Sequence, residues 1–232
     1  MVIIVIVSMI NIQAVITGDI SRFTTLNPLQ REQLVNKTES LLTNMAARKR
    51  DARMFRGDSY QMVTADIGQV LWHCVRLVCW FKLNGKHAAD ADNAASQRKR
   101  LGTRISVGIG TVDYSGKTVL DADGEAFHLS GRVFDAMDKT ESIHLTTSDA
   151  GRNTTYQIIL MYINLLMRQW TATQADTIFE LLSHPNATQE QVAKALKTSQ
   201  PAVAKSLQAA RWKEVEKGII YLSEQLKQQY AL

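Results

Sequence analysis

The chain has 232 residues, 45% of them hydrophobic and 21% charged, an ordinary globular composition that excludes a disordered, collagenous or low-complexity protein. Its two cysteines, Cys74 and Cys79, share one apolar run, which leaves neither a disulfide framework nor a cysteine-rich zinc site; a reducing cytoplasm is the expected setting. The formal net charge of +5 permits a nucleic-acid partner without requiring one.

Residues 1–17 are very apolar but carry no basic leading region and no small-residue cleavage pattern. Ser8, Asn11 and Gln13 interrupt them short of the ~18–20 residues that a spanning helix needs, so no membrane partner is expected. Val and Ile dominate, which is strand chemistry. A buried central strand is predicted over 10–18, with 1–8 a further strand, or upstream sequence if Met9 starts the chain. Residues 26–48 read as a helix, with Leu34, Leu41, Leu42 and Met45 recurring near helical spacing. Two short runs, 53–56 and 59–65, flank Gly57-Asp58 as a hairpin. Residues 68–82 form a helix that is apolar on most faces and therefore packs deeply, and 84–100 a polar loop or weak exposed helix.

Residues 103–111 alternate as a strand. Ile105, Val107 and Ile109 point one way, and Gly108 and Gly110 leave room on the other face for something large to approach. A helix over 125–139 and a strand over 142–147 complete the order β-α-β-β-α-β-α-β, which indicates a ferredoxin-like α/β sandwich. Beyond residue 153 no strand pattern remains. The expected domains are therefore 1–150, mixed α/β, and 151–232, all α. The apolar positions of 156–170 cover more than one face and predict a linker helix buried in an interface, a dimer seam being one option.

Within the helical part, 188–196 reads as a short helix with Thr188 as N-cap and Gln191 completing a capping box. After the turn Lys197-Thr198-Ser199, a second helix runs over 200–211, capped by Ser199 and with Pro201 in its first turn. This is a helix-turn-helix pattern. Gln200, Ala202, Lys205, Ser206 and Gln208 are expected to point outward. Glutamine can pair with adenine, and lysine serves phosphate or guanine. Between Ser183 and Lys213 five basic residues (Lys194, Lys197, Lys205, Arg211, Lys213) stand against Glu190 alone, which favours a nucleic-acid backbone. The expected partner is duplex DNA, met by Ser199, Gln200, Lys205, Ser206, Gln208 and Arg211; the bland alternative is a protein-binding helical module.

In the first part, Asp19 ends the apolar strand and Asp58 sits in the hairpin. If strand and hairpin pair, the two carboxylates converge, and such hard oxygen ligands suit magnesium or manganese with substrate phosphates completing the shell. Gly18-Asp19-Ile20-Ser21-Arg22-Phe23-Thr24 resembles the first metal motif of class III nucleotidyl cyclases. Phe55-Arg56-Gly57-Asp58-Ser59-Tyr60 resembles the hairpin carrying their second metal aspartate, and Arg104-Ile105-Ser106-Val107-Gly108-Ile109-Gly110 their Val-Gly-Ile strand. The segment from Asp121 to Arg132 is similar to the one a partner subunit supplies, and Ser142-Ile143-His144-Leu145-Thr146-Thr147 to the closing strand. With the helical tail, the whole chain resembles the SatD-like family of bacterial proteins.

That resemblance implies Asp19, Asp58 and the Ile20 carbonyl as ligands of a two-metal magnesium or manganese site. It implies Phe23, Met54 and Asp121 as nucleotide contacts, and Arg132 and His128 as catalytic positions, Arg132 stabilising the transition state. Two positions depart from the family: His128 stands where asparagine usually orients the ribose, and Met54 where lysine or glutamate selects the base. The implied partners are a nucleoside triphosphate and a second copy of the chain. The expected function is a homodimeric, DNA-binding transcription regulator whose cyclase-like domain binds a metal–nucleotide. The alternative is an active cyclase with an accessory tail, and a third option is a dimerising scaffold with neither activity.

Overall fold

The computed structural model describes residues 11–85, 101–114 and 116–230; the strand or upstream segment expected over 1–8 and most of the polar stretch 84–100 lie outside them. The chain is mixed α/β. In order come β1 (Ile12–Ser21), α1 (Pro28–Met45), β2 (Ala52–Phe55), β3 (Ser59–Thr64), α2 (Val70–Asn84), β4 (Gly102–Thr111), β5 (Asp113–Tyr114), β6 (Ala122–Asp123), α3 (Glu125–Ala136), β7 (Ile143–Thr147), α4 (Ala150–Arg168), α5 (Ala172–Ser183), α6 (Gln189–Ala195), α7 (Gln200–Ala209) and α8 (Trp212–Tyr230).

Five strands form one sheet in the order β2-β3-β1-β4-β7. Each neighbouring pair is antiparallel except β4 and β7, which run parallel. The central strand β1 starts two residues later than expected and runs on to Ser21, because β3 and β4 both offer it partners: Asp19 faces Ser59 on one side and Arg104 on the other. The hairpin loop is three residues long rather than two. Arg56 and Gly57 both adopt the left-handed region, at φ 52 and 84, which explains the glycine there. The β5–β6 ribbon was not anticipated; with two residues per strand it carries no periodic signal.

The two faces of the sheet bury different partners. Ala14, Ile16, Tyr60, Met62, Ile105, Val107 and Ile109 join Leu34 and Leu42 of α1 and Leu71, Val75 and Phe81 of α2 in the main core. On the opposite face Val15 and Val63 pack with Val112, Val119 and Ala126. The large object expected over Gly108 and Gly110 is α3 itself. A Cβ on Gly108 would come within 2.2 Å of the Ala126 carbonyl oxygen. Thr17 and Ser130 share a 3.1 Å hydrogen bond across this contact.

The helices after residue 150 extend the main core. Tyr156, Leu160, Ile163 and Met167 of α4, Ile178 of α5 and Trp212, Val215, Ile219 and Leu222 of α8 all belong to it. Trp170 Nε1 donates to the Ala210 carbonyl at 2.7 Å, and the Trp212 ring lies 6.5 Å from Trp72 and 6.2 Å from Trp170. On α4, Ile158, Met161, Tyr162 and Leu165 remain exposed in a stripe at i, i+3, i+4 and i+7. Among the described residues no helix is long and apolar enough to cross a membrane.

Candidate functional site

At the end of β1 the strand passes over a buried tyrosine. A Cβ on Gly18 would meet the Tyr60 ring at 2.3 Å, so glycine alone fits that approach. The Tyr60 hydroxyl shares a 2.6 Å hydrogen bond with Thr103 Oγ1, which also lies 2.6 Å from the Asp19 carbonyl oxygen. Burial pushes the Tyr60 phenol well up, so it stays neutral. The backbone of Asp19 is thereby fixed from beneath. Beyond it Arg22 turns left-handed at φ 66 and starts the turn Phe23–Thr25. Arg31 ties this turn to α1: its Nε donates to the Leu26 carbonyl at 2.9 Å, its Nη2 to that of Thr24 at 2.6 Å, and its guanidinium sits 5.7 Å from the Phe23 ring centroid.

The Asp58 carbonyl accepts from the Ile20 amide at 2.8 Å, which brings the hairpin tip against the end of β1. One open pocket results, lined by Asp19, Ile20, Ser21, Arg22, Phe23, Thr24, Asp58, Arg104 and Lys139. Strand register thus brings together Asp19, Ile20, Phe23 and Asp58. It adds Arg22, Arg104 and Lys139, which sequence reasoning did not assign to the site. Arg104 is the consequential addition. Its Nη2 lies 2.6 Å from Asp19 Oδ2 and its Nε 3.4 Å from Oδ1, its guanidinium sits over the Phe134 ring at 4.9 Å, and Nη1 donates to the Met137 carbonyl at 3.4 Å. The hydrogen bond to Asp19 raises the Arg104 pKa further, so the pair is ionic.

As a cation site the pocket offers the side chains of two acidic residues, Asp19 and Asp58, with Ile20 between them in its lining. Among the described residues no group of three or more His, Cys, Asp or Glu side chains gathers anywhere. The donor set suits a hard cation that takes most of its ligands from phosphate and water, with Arg104 as its competitor for Asp19.

The other candidates lie elsewhere. Met54 is half-buried on β2, opposite Tyr60 in the register. Asp121 closes a capping box with Thr118, accepting from its amide at 3.1 Å and its hydroxyl at 3.0 Å. His128 faces Asp123 at 3.2 Å, and Arg132 is exposed one helical turn further on the same side of α3. None of these four lines the Asp19–Asp58 pocket of its own chain.

In the helical part Thr188 and Gln191 form the expected capping box, and Ser199 accepts from the Ala202 amide at 3.4 Å. The α6–α7 turn closes with Lys197 at φ 53 and the Thr198 amide donating to the Ala193 carbonyl at 2.9 Å. Val192, Ala193 and Val203 make a small core, with Leu181, Leu196 and Leu207 against it. Lys194, Lys197, Lys205 and Gln208 are exposed. Ser206 departs from the expectation: its hydroxyl turns inward to Thr177 Oγ1 at 3.0 Å, because α7 packs on α5 along that side. Gln200 donates to Gln189 Oε1 at 2.8 Å, which adds Gln189 to the exposed polar face. Arg211 is left-handed at the α7–α8 junction and lies 3.5 Å from Glu214.

No family model matches the chain, and no curated protein or solved structure matches it.

Proposed function

We propose that this chain is a homodimeric, DNA-binding regulator whose α/β half binds a divalent cation together with a nucleoside triphosphate. In this reading the sheet and its helices form the ferredoxin-like sandwich of class III nucleotidyl cyclases, and α6 and α7 form a helix-turn-helix. The observation that carries it is the convergence of Asp19 and Asp58 on a pocket that also holds Arg22, Arg104 and Lys139. Two carboxylates suit a hard cation, and three cationic side chains suit a polyphosphate. Asp19, Asp58 and the Ile20 carbonyl would hold magnesium or manganese. When bound, such an ion neutralises phosphate charge and lowers the pKa of a nearby hydroxyl. Phe23 supplies an apolar wall, and Arg104 and Lys139 draw phosphate oxygens toward the strand end. The exposed lysines of α6 and α7 support the DNA half of the reading, since each can neutralise a backbone phosphate.

A second reading, an active cyclase, is favoured by one observation: His128 and Arg132 share the exposed side of α3, free to meet another subunit. There Arg132 would take up charge on the α-phosphate as the ribose 3′-oxygen attacks and pyrophosphate leaves. The test is titration calorimetry with each nucleoside triphosphate and manganese, followed by mass spectrometry of the products. Manganese-dependent binding with intact triphosphate supports the regulator, and cyclic monophosphate with pyrophosphate supports the cyclase. Absence of manganese-dependent binding refutes both.

A further inference from the structure

A second cavity, of about 380 Å³, opens between α2, α5 and α8. Its walls are Trp72, Leu181, Leu182, Pro185 and Trp212, and its polar groups are Gln69, His73, Arg76 and Glu216. This volume is that of a small-molecule pocket, with apolar walls and few polar groups. The Trp72 and Trp212 rings, 6.5 Å apart and inclined at 58°, offer flat apolar surface.

Arg76 is the unusual element. Its Nε is buried and has no hydrogen-bond acceptor. Its guanidinium carbon lies 5.4 Å from the Phe179 ring centroid, and among the described residues no carboxylate stands within ion-pair distance of it. A guanidinium cannot shed its charge near neutral pH, and a partly buried cation without a counter-ion is costly. An arginine kept in this state beside two tryptophans is arranged for an anion that comes from outside the chain. Arginine's planar fork suits a carboxylate. The Glu216 side chain, lining the same cavity, makes no hydrogen bond or ion pair with another described residue and would accept a hydrogen bond from a ligand donor. His73 adds a neutral imidazole, because burial and the neighbouring Arg76 hold its pKa down to about 4.

We propose that this cavity is a binding site for a small, planar aromatic carboxylate that carries a hydroxyl or ring N–H at its far end. The carboxylate meets Arg76, the ring lies against Trp72 and Trp212, and the donor meets Glu216. The site stands independently of the nucleotide and DNA readings. Its position has a structural consequence: Leu181 faces this cavity and also packs on the small core beneath α6 and α7.

The probe is 4-hydroxybenzoate, compared with neutral 4-hydroxybenzamide and with benzoate, in saturation-transfer NMR titrations on the full chain. 4-Hydroxybenzoate is expected to bind best, benzoate less well for want of the hydroxyl, and the amide least. Arg76→Met keeps the apolar stem and removes the charge. It is expected to fold, to lower 4-hydroxybenzoate affinity about tenfold and to erase the preference for acid over amide. Trp72→Leu is expected to weaken acid and amide together. Equal binding of acid and amide, an Arg76→Met variant that binds like the native chain, or no saturation transfer from any probe at millimolar concentration overturns the proposal. If Arg76→Met melts earlier than the native chain, Arg76→Lys decides. Keeping the charge without the fork, it should retain the acid preference at reduced affinity, and binding that persists in Arg76→Lys with acid and amide held equally would contradict the assignment.

Discussion

Arg104 Nη2 lies 2.6 Å from Asp19 Oδ2, the two residues facing each other directly across β1 and β4. Both side chains are about a fifth exposed, at 20% and 23%, so the pair is only partly screened by solvent. It sets up a competition, since the carboxylate expected to hold a cation is already held by a guanidinium. Arg104→Gln removes that competitor and leaves the strand register intact. Manganese affinity measured without nucleotide should rise about tenfold, in keeping with removal of one nearby positive charge. Phosphate-dependent affinity for the nucleotide should fall. Manganese binding identical in native and variant proteins would show that Asp19 is not a cation ligand.

Asp58 is held through its backbone, whose carbonyl accepts from Ile20, rather than through its carboxylate, whose contact is a 3.4 Å hydrogen bond from Ser59. Asp58→Asn therefore keeps the hairpin and removes a negative charge. Manganese-dependent nucleotide affinity should drop about tenfold or more with an unchanged melting temperature. Arg132→Ala, at an exposed position outside the pocket, should spare binding and abolish any turnover, because its contribution develops in the transition state. Calorimetry that finds native affinity in Asp58→Asn would remove this carboxylate from the site.

How much of this was legible from residues alone follows the range of each interaction. Strand alternation at Ile105, Val107 and Ile109, the capping residues Thr188 and Ser199, and the hairpin carrying Asp58 are local signals, and each element stands where its pattern lies. The extension of β1 to Ser21 and the Asp19–Arg104 pair depend on register between strands far apart in sequence, which no local pattern encodes. Ser206 misled for the same reason. Helical periodicity puts it on an outer face, but Thr177 of α5 covers that face. Arg76 was invisible because its significance is an absent acceptor.

Cys74 and Cys79 are buried in α2, and burial pushes both thiols far up. Neither should react with iodoacetamide in the native chain at mildly alkaline pH, and both should react at once in denaturant. Intact-mass spectrometry over time reads the difference. Fast native alkylation would show that α2 opens locally.

His73 makes stability depend on pH in a defined direction. Burial, with Arg76 nearby, lowers its pKa from 6.5 to about 4 in the folded chain. Between those values the unfolded chain binds the extra proton and the folded chain does not. Its contribution is therefore whole above about pH 6.5 and is lost as pH falls toward about 4. The loss should be on the order of 2–3 kcal/mol. His73→Gln should flatten that part of the profile relative to the native chain in urea titrations across this range. Matching slopes would place His73 in a solvated setting instead.

The DNA reading makes its sharpest distinction between two adjacent residues of α7. Lys205 is exposed, whereas Ser206 is half-buried and hydrogen-bonded to Thr177. Lys205→Ala should weaken binding to duplex DNA and lower the slope of log affinity against log salt by about one unit, if the ammonium neutralises one phosphate. Ser206→Ala should leave the salt slope alone and cost about 1 kcal/mol of folding stability through the lost hydroxyl pair. Gln208→Ala should relax sequence preference more than affinity, since a side-chain amide reads base edges. Gln200 and Gln189 hydrogen-bond to each other at 2.8 Å, so they should behave as a unit, either substitution giving most of the effect of both. Fluorescence anisotropy on duplexes enriched from genomic fragments, at two salt concentrations, measures the binding effects, and urea titration measures the stability of Ser206→Ala. Enrichment of no sequence, with residual binding indifferent to Lys205 and Gln208, would make α6 and α7 a protein-interaction module and remove DNA from the proposed function.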